Sequence, residues 1–159
     1  MTEAGPTTFS HYGVCVSDME RSRRFYCEAF GFRPGALMHP GQECSNLVGI
    51  DGPLAMRCQF IVKDGLLMEL IKYDSPGHVG TAEARPPNKL GLTHISFRVK
   101  DIEATMAKVE ELGGTVMRQT RMTYDNGDGT GGSAIFCLDP DGTRVELMEF
   151  PDSIRFDRA

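Results

Sequence analysis

The feature of this sequence that most constrains its fold is an internal repeat. The segments that begin at His11 and at His94 both place Val five residues and Asp seven residues after the histidine. Each then runs on to a glycine, Gly31 in the first copy and Gly113 in the second. The two histidines are 83 residues apart (94 − 11) in a chain of 159. A repeat of this length predicts two copies of one supersecondary unit that pack together.

Both copies close on a strand-like run that contains a Glu-Leu pair. Glu69 lies in LLMELIKY, and Glu146 lies in TRVELMEF. The glutamate follows the histidine by 58 residues in the first copy (69 − 11) and by 52 in the second (146 − 94). Loops of different length explain such a small difference, so we treat the two copies as the same kind of unit.

Hydrophobic periodicity predicts the order β-α-β-β-β for each copy. Alternating β-branched and aromatic residues favour strands in FSHYGVCV and LTHISFRV. Asp18 and Asp101 stand where helix N-caps belong, and apolar residues recur behind them at helical spacing. Two or three strand candidates follow each helix and are joined by turn sequences such as Lys63-Asp64-Gly65.

These elements divide the chain into four segments. We predict a first module over 8–73, a linker over 74–90, a second module over 91–150 and a C-terminal tail over 151–159. The linker is rich in Pro and Gly, which is typical of a connection between modules. Within the second module, the Gly-rich residues 120–132 are predicted to form a loop of the kind that often covers a binding site.

Charge, hydropathy and cysteine content limit the partners and the compartment. The net charge of −5 argues against nucleic acid or an anionic membrane as the main partner. No apolar run is long enough for a membrane helix, and no secretory signal is visible at the N-terminus. Five cysteines without a CxxC pair are typical of a reduced, cytoplasmic chain. We therefore predict a cytoplasmic protein that acts on a small molecule.

Strand alternation places two histidines and two glutamates on the sheet faces that point away from the helices. Residues two apart on a strand point to the same side of the sheet. His11 and His94 open their strands on the side opposite to the helix-facing residues. Glu69 and Glu146 share that side on the closing strands. If the copies pack with approximate twofold symmetry, the four side chains can converge.

Two imidazoles and two carboxylates suit a divalent transition metal such as Zn, Ni, Co, Mn or Fe(II). Four protein ligands on a six-coordinate ion leave two open positions, as a catalytic site requires. A lone histidine on a strand is more often a scaffold residue, but here the arrangement occurs twice. We therefore predict that His11, Glu69, His94 and Glu146 bind a catalytic metal ion. The sequence contains no recognisable motif for a thiol cofactor or coenzyme A.

The other polar candidates have simpler interpretations. His39 and His78 lie in loops rich in Pro and Gly and are predicted to be solvated. Glu149 has the opposite strand parity to Glu146, so we predict a surface position for it. Arg98 and Arg144 share the face of the predicted site. They either hold an anionic group of the substrate or pair with acids at the rim.

The two copies resemble the modules of the vicinal oxygen chelate superfamily. This superfamily includes glyoxalase I, methylmalonyl-CoA epimerase, extradiol dioxygenases, and fosfomycin- and bleomycin-resistance proteins. The resemblance spans residues 8–150 and is carried by segments such as GLTHISFRVKDIEA and DPDGTRVELMEF. It implies an α+β fold in which two tandem βαβββ modules form a half-open, metal-centred sheet. It also implies a homodimer, because in glyoxalase-like relatives the modules that close one site often come from different subunits.

The ligand pattern resembles glyoxalase I-like and epimerase-like members most closely. This implies a metal-dependent lyase or isomerase that removes a proton beside the carbonyl of a small carbonyl or thioester substrate. By the same resemblance Glu146 is the first candidate for the base and Glu69 the second. One alternative is an Fe(II)-dependent extradiol dioxygenase in which Glu69 is not a ligand, although SAIFCL lacks the Tyr that such enzymes carry. A metal-free small-molecule-binding or resistance protein is the other alternative.

Overall fold

Two mixed sheets with the same internal strand order reproduce the repeat of the sequence. The computed structural model describes residues 5–125, 127 and 130–154. The first sheet has the order β1-β4-β3-β2 and the second the order β5-β9-β8-β6, with β7 also paired to β8. The strands are β1 (Tyr12–Cys15), β2 (Arg33–Met38), β3 (Ala55–Lys63), β4 (Leu66–Ser75), β5 (Ile95–Arg98), β6 (Thr115–Val116), β7 (Met122–Tyr124), β8 (Gly132–Leu138) and β9 (Arg144–Glu149). This arrangement confirms the predicted α+β fold.

Among the described residues, three α-helices accompany the sheets. They are α1 (Met19–Phe30), α2 (Ser45–Val48) and α3 (Ile102–Glu111). The α3 helix begins where the sequence predicts, because the Asp101 carboxylate accepts a hydrogen bond from the Ala104 N–H at 2.8 Å. Gly31 and Gly113, which follow α1 and α3, have φ angles of 73° and 85°. Glycine adopts such left-handed angles readily, so both helices end at the predicted residues.

The chain clusters into two compact units. One contains the chain as far as Met19 together with Phe32–His78. The other contains Glu20–Gly31 and the chain from Val79 onward. Nearly all of α1 therefore belongs to the unit of the second sheet, although α1 directly follows the first strand of the first sheet.

Aromatic packing and one buried hydrogen bond hold α1 in the second unit. The rings of Phe30 on α1 and Phe97 on β5 are stacked, with centroids 4.3 Å apart. The buried hydroxyl of Tyr26 donates a hydrogen bond to the Asp139 carboxylate at 2.8 Å. Asp139 also accepts hydrogen bonds from the main chain of the turn between β8 and β9. Burial nevertheless raises the pKa of Asp139 above its ordinary value.

Alternation along the closing strands agrees with the parity predicted from the sequence. On β4, Met68 and Leu70 are fully buried, whereas Glu69 between them remains partly exposed. On β9, Val145 and Leu147 are fully buried in the same way. Each apolar face supplies the core of its unit, and the opposite face is left for polar side chains.

Some boundaries differ from the prediction. The predicted loop over 120–132 contains β7, which pairs antiparallel with β8. Residues 126, 128 and 129 of that loop and 155–159 of the predicted tail lie outside the described residues. The β4 strand continues to Ser75, two residues beyond the predicted end of the first module at 73. Among the described residues, no helix has both the length and the apolar character that spanning a bilayer requires.

Candidate metal centre

The first His–Glu pair is created by the parallel pairing of β1 with β4. The strand register sets Gly13 opposite Glu69. His11 lies two residues before Gly13, just outside the strand, and its Nε2 is 3.3 Å from Oε2 of Glu69. The Glu69 side chain is only 16% exposed and that of His11 is 37% exposed. We call His11 and Glu69 the first pair.

Two neighbours orient the His11 ring. The hydroxyl oxygen of Ser10 lies 2.9 Å from Nδ1 of His11. The ring of Phe60, which stands opposite Glu69 on β3, meets the imidazole edge to face with centroids 5.3 Å apart. When Nδ1–H donates to the hydroxyl, Nε2 presents its lone pair to the carboxylate side, which is the state in which histidine binds a metal.

The second pair repeats this geometry in the second unit. The register of β5 with β9 sets Ser96 opposite Glu146, and His94 again lies two residues before. Nε2 of His94 is 3.4 Å from Oε2 of Glu146. The Thr93 hydroxyl oxygen is 2.8 Å from Nδ1 of His94, and the Phe136 ring packs edge-on at 5.4 Å. His94 and Glu146 form the second pair.

The two glutamates differ in the residue that stands opposite them on the parallel neighbour strand, β1 for Glu69 and β5 for Glu146. Ser96 Oγ donates a hydrogen bond to Oε2 of Glu146 at 2.8 Å. The register-matched residue beside Glu69 is Gly13, which carries no side chain. A Cβ at residue 13 would lie 3.8 Å from Oε2 of Glu69, so the glycine occupies the place from which a serine would reach that oxygen.

A different donor approaches Glu69 from the opposite neighbour strand. The Cys58 thiol on β3 is buried and interacts with the Glu69 carboxylate. Burial raises the pKa of Cys58 to about 12, and the contact with Glu69 adds to the shift. The counterpart of Cys58, two residues before Phe136, is Ala134, which has no donor. A thiol is a weaker donor than a hydroxyl, so the two carboxylates are held differently.

The donor atoms of each pair are spaced as two ligands of one ion would be. Atoms about 2.1 Å from a common ion are about 3.0 Å apart at a right angle and about 3.4 Å apart at the tetrahedral angle. The observed N···O separations of 3.3 Å and 3.4 Å agree with this spacing. Within the described residues, no group of three or more His, Cys, Asp or Glu side chains is assembled as a metal site. Each pair by itself therefore offers two side chains with suitable donor atoms.

The two predicted substrate-binding arginines contact the main chain. Arg144 is buried, and its terminal nitrogens bind the carbonyl of Arg85 at 2.8 Å and the Met117 sulfur at 3.5 Å. Its guanidinium also lies over the Phe136 ring, 5.1 Å from the centroid. Arg98 donates to the carbonyl of Ile154 at 2.6 Å. In this structure, Arg144 therefore anchors the linker and Arg98 the segment that follows β9.

One cavity of the second unit is not at either pair. An open cavity of about 910 Å³ lies at the carboxyl ends of β5 and β9 in the second unit. Its lining carries charge of both signs: positive from Arg98, Lys100 and Arg121, and negative from Glu149 and Asp152. His94 is at the other end of β5 and is not among the lining residues. The cavity is therefore separate from the His–Glu chemistry of that sheet.

The residues that surround the pairs were not predicted from the sequence. They are the hydroxyl residues before each histidine, the two phenylalanines, and the donors to the carboxylates: Ser10, Thr93, Phe60, Phe136, Ser96 and Cys58. The hydroxyl residues could have been found, because aligning the copies on the histidines also aligns Ser10 with Thr93. The donors could not, because they occupy different positions in the two copies.

Comparison with known proteins agrees with the fold. The Escherichia coli K12 protein YaeR is 28% identical over 148 residues, which cover 87% of this chain and 93% of YaeR. A lactoylglutathione lyase of Schizosaccharomyces pombe is 24% identical over 92% of this chain, which spans 49% of that longer protein. The crystal structure of a glyoxalase family protein from Bacillus cereus superposes with a TM-score of 0.77 at 17% identity, covering 94% of this chain and 98% of that chain. The sequence model of the Glyoxalase/Bleomycin resistance protein/Dioxygenase superfamily matches residues 8–147, and the chain therefore belongs to that superfamily.

Proposed function

We propose that this protein is a divalent-metal-dependent lyase or isomerase of the glyoxalase I type. The observation that carries the proposal is the duplicated His–Glu pair, with each histidine held by a hydroxyl at Nδ1 and directed by Nε2 toward its glutamate. Two identical half-sets of ligands have a simple explanation if they combine on one ion. The similarity to a lactoylglutathione lyase supports the same class of reaction.

The four side chains fit the ion in their chemistry. Imidazole nitrogen and carboxylate oxygen suit Ni, Zn, Co, Mn and Fe(II), and the partly buried carboxylates would be neutralised by a divalent charge. His11 and Glu69 would bind from the first unit, and His94 and Glu146 from the second. When bound, such an ion supplies a Lewis acid that stabilises negative charge developing on a substrate oxygen.

The chain's own part in the reaction is proton transfer by a carboxylate. A substrate with an acidic C–H next to a carbonyl loses that proton to a carboxylate oxygen, and the electron pair stays on the substrate as an enolate or enediolate. The same carboxylate then returns the proton to the neighbouring carbon or to the opposite face. Glu146 is the first candidate for this role and Glu69 the second, as the family resemblance implies.

We further propose that the complete site forms in a homodimer. Each pair supplies only two of the four expected ligands, so one pair has to meet a second. An exposed apolar residue stands two positions before each histidine: Phe9 is 72% exposed and Leu92 is 65% exposed. Burying these side chains against a second copy would remove apolar surface from water beside each pair.

A substrate and metal panel tests the reaction class. The protein is stripped of metal, reloaded with Ni, Co, Mn, Zn or Fe(II), and assayed on hemithioacetals, acyl-CoA epimers and catechols. We expect isomerisation of a hemithioacetal or an acyl-CoA epimer without oxygen. Activity only on catechols, with a requirement for both Fe(II) and oxygen, would instead establish the dioxygenase alternative. A protein that takes up no ion would favour the metal-free binding alternative.

Mixed dimers test where the site forms. Chains that carry His11→Ala are combined with chains that carry His94→Ala, each inactive on its own. In a shared site, half of the sites in a mixed dimer receive both substitutions and the other half receive none, so activity returns. If all four ligands come from one chain, mixing restores nothing. Sedimentation of the same samples shows whether they are dimers.

A further inference from the structure

The two glutamates occupy matched positions in their sheets. Only Glu146 has a hydroxyl residue, Ser96, opposite it on the parallel neighbour strand. Ser96 Oγ donates to Oε2 of Glu146 at 2.8 Å, and Nε2 of His94 is 3.4 Å from the same oxygen. Both contacts fall on one oxygen. The contacts with Ser96 and His94 therefore restrain Oε2 of Glu146 rather than Oε1.

At the first pair, no hydrogen bond corresponds to the one that Ser96 donates to Glu146. Gly13 occupies the position of Ser96, so no side chain approaches Glu69 from β1 at that level. The polar group beside Glu69 is instead the buried Cys58 thiol on the antiparallel neighbour β3. Glu69 thus interacts with a thiol, which is a weak donor, whereas Glu146 accepts a hydrogen bond from a hydroxyl, which is a stronger one.

We propose that Ser96 is a positioning residue that makes Glu146, rather than Glu69, the carboxylate that exchanges the substrate proton. This inference rests on the proposed function. By holding Oε2, the Ser96 hydroxyl keeps Oε1 aimed at the reacting carbon, and proton transfer is sensitive to such placement because donor and acceptor must lie within hydrogen-bond reach. Glu69 lacks an equivalent hydroxyl and acts as a ligand only.

The test compares Ser96→Ala and Ser96→Thr with the wild type in Ni²⁺ titration by calorimetry and in turnover of the hemithioacetal of methylglyoxal and glutathione. Residues that orient a metal ligand typically change affinity or activity by about 10–100-fold when removed. We expect Ser96→Ala to bind the same number of ions with about tenfold weaker affinity and to lower kcat by at least about tenfold while KM changes by less than about threefold. Ser96→Thr, which keeps the hydroxyl, is expected to restore both.

Two further variants separate positioning from a general loss of stability. Thr115→Ala removes an exposed hydroxyl from β6 of the same unit and is expected to leave affinity and kcat unchanged. The double variant Gly13→Ser with Ser96→Ala moves the hydroxyl to the first pair. There the added Cβ would meet only the flexible Cδ1 of Ile71 closely, at 3.0 Å. We expect the transfer to leave kcat low, because the hydroxyl now holds the wrong carboxylate.

The outcomes distinguish this inference from the proposed function. If the wild type binds Ni²⁺ and Ser96→Ala matches it in affinity and kcat, Ser96 does not position Glu146. If the double variant regains wild-type turnover, the two glutamates are interchangeable and the inference is wrong. A wild type that binds no divalent ion overturns the proposed function and this inference with it. If the hemithioacetal is not turned over, the Ni²⁺ affinities of the two Ser96 variants still decide whether the hydroxyl holds Glu146.

Discussion

The His11–Glu69 pair and the His94–Glu146 pair have the same geometry, although different residues surround them. In both, a histidine two residues before the strand position opposite the glutamate brings Nε2 to 3.3–3.4 Å from Oε2. In both, a hydroxyl oxygen lies within 3 Å of Nδ1. The parallel register of the first strand with the closing strand is enough to produce the pair. The register therefore preserves the pair, while the neighbours are free to differ.

The side chains that contact the two carboxylates are where the copies differ. A serine on the parallel strand holds Glu146, and a cysteine on the antiparallel strand contacts Glu69. The counterparts, Gly13 and Ala134, offer no donor in either place. Two copies of one unit have thus kept the histidine and the glutamate in common, while different residues surround the two carboxylates. This is the kind of difference that assigns distinct roles to two carboxylates at one site.

Replacing the glutamates one at a time should reveal the largest difference between the modules. Glu146→Gln keeps a coordinating oxygen but removes the base, so kcat is expected to fall by about 10²–10⁴ in steady-state assays. Glu69→Gln should be milder, because the amide also keeps a coordinating oxygen there and Glu69 is not expected to exchange the proton. Glu149→Gln on the same strand serves as the control and should resemble the wild type. A larger loss for Glu69→Gln would reverse the roles of the two modules.

Removing the hydroxyls behind the histidines should affect the two modules equally. Ser10→Ala and Thr93→Val each leave an imidazole without its partner at Nδ1, so the ring is less well oriented. We expect Ni²⁺ affinity to weaken by about tenfold in each variant, as for other residues that orient a metal ligand. Calorimetric titration measures both. If only one variant weakens binding, the two pairs do not contribute alike.

Much of this arrangement could be predicted because it depends on local sequence patterns. The period of two in LLMEL and RVELM indicated which face Glu69 and Glu146 share, and burial of Met68 and Leu147 agrees with it. The helix ends followed from Asp101 as an N-cap and Gly113 as a terminator. Each of these features needs information from only a few neighbouring residues.

The parts that could not be predicted depend on contacts between distant residues. The grouping of α1 with the second sheet depends on Tyr26 meeting Asp139, which lies 113 residues later. The β7 strand is short and lies in a Gly-rich segment, so only its pairing with β8 makes it a strand. The main-chain contacts of Arg98 and Arg144 could not be predicted either. Strand parity indicates the side of the sheet to which a side chain points, but it does not identify the group that the side chain contacts.

The smallest expected effect concerns an ion pair found in the first sheet. Arg57 and Lys72 both contact Asp74 and hold the pKa of that carboxyl well below its usual range. A lowered pKa adds stability above the ordinary value near 4, and this contribution is lost as the pH falls through the folded-state pKa. Asp74→Asn should lower the free energy of unfolding by less than about 1 kcal/mol at pH 7, because the pair is about one-third exposed.

The matching residues of the second sheet sharpen this comparison. Ser133 stands opposite Glu149 where Arg57 stands opposite Lys72, so that sheet has no equivalent cluster at this register. Denaturant unfolding of wild type and Asp74→Asn at pH 7 and pH 3 measures the effect. The difference between the two proteins should shrink at pH 3. A difference that grows on acidification would show that Asp74 does not stabilise the fold through its charge.

The most direct test of the account is a titration of the metal-free protein with Ni²⁺, because its central claim is that the two pairs bind one ion together. We predict one ion per chain for the wild type and none for either His11→Ala or His94→Ala. His39→Ala and His78→Ala, which replace exposed histidines outside the pairs, should keep the full complement. Two ions per wild-type chain, or one ion retained after loss of either His11 or His94, would show that the pairs act separately and would contradict the account.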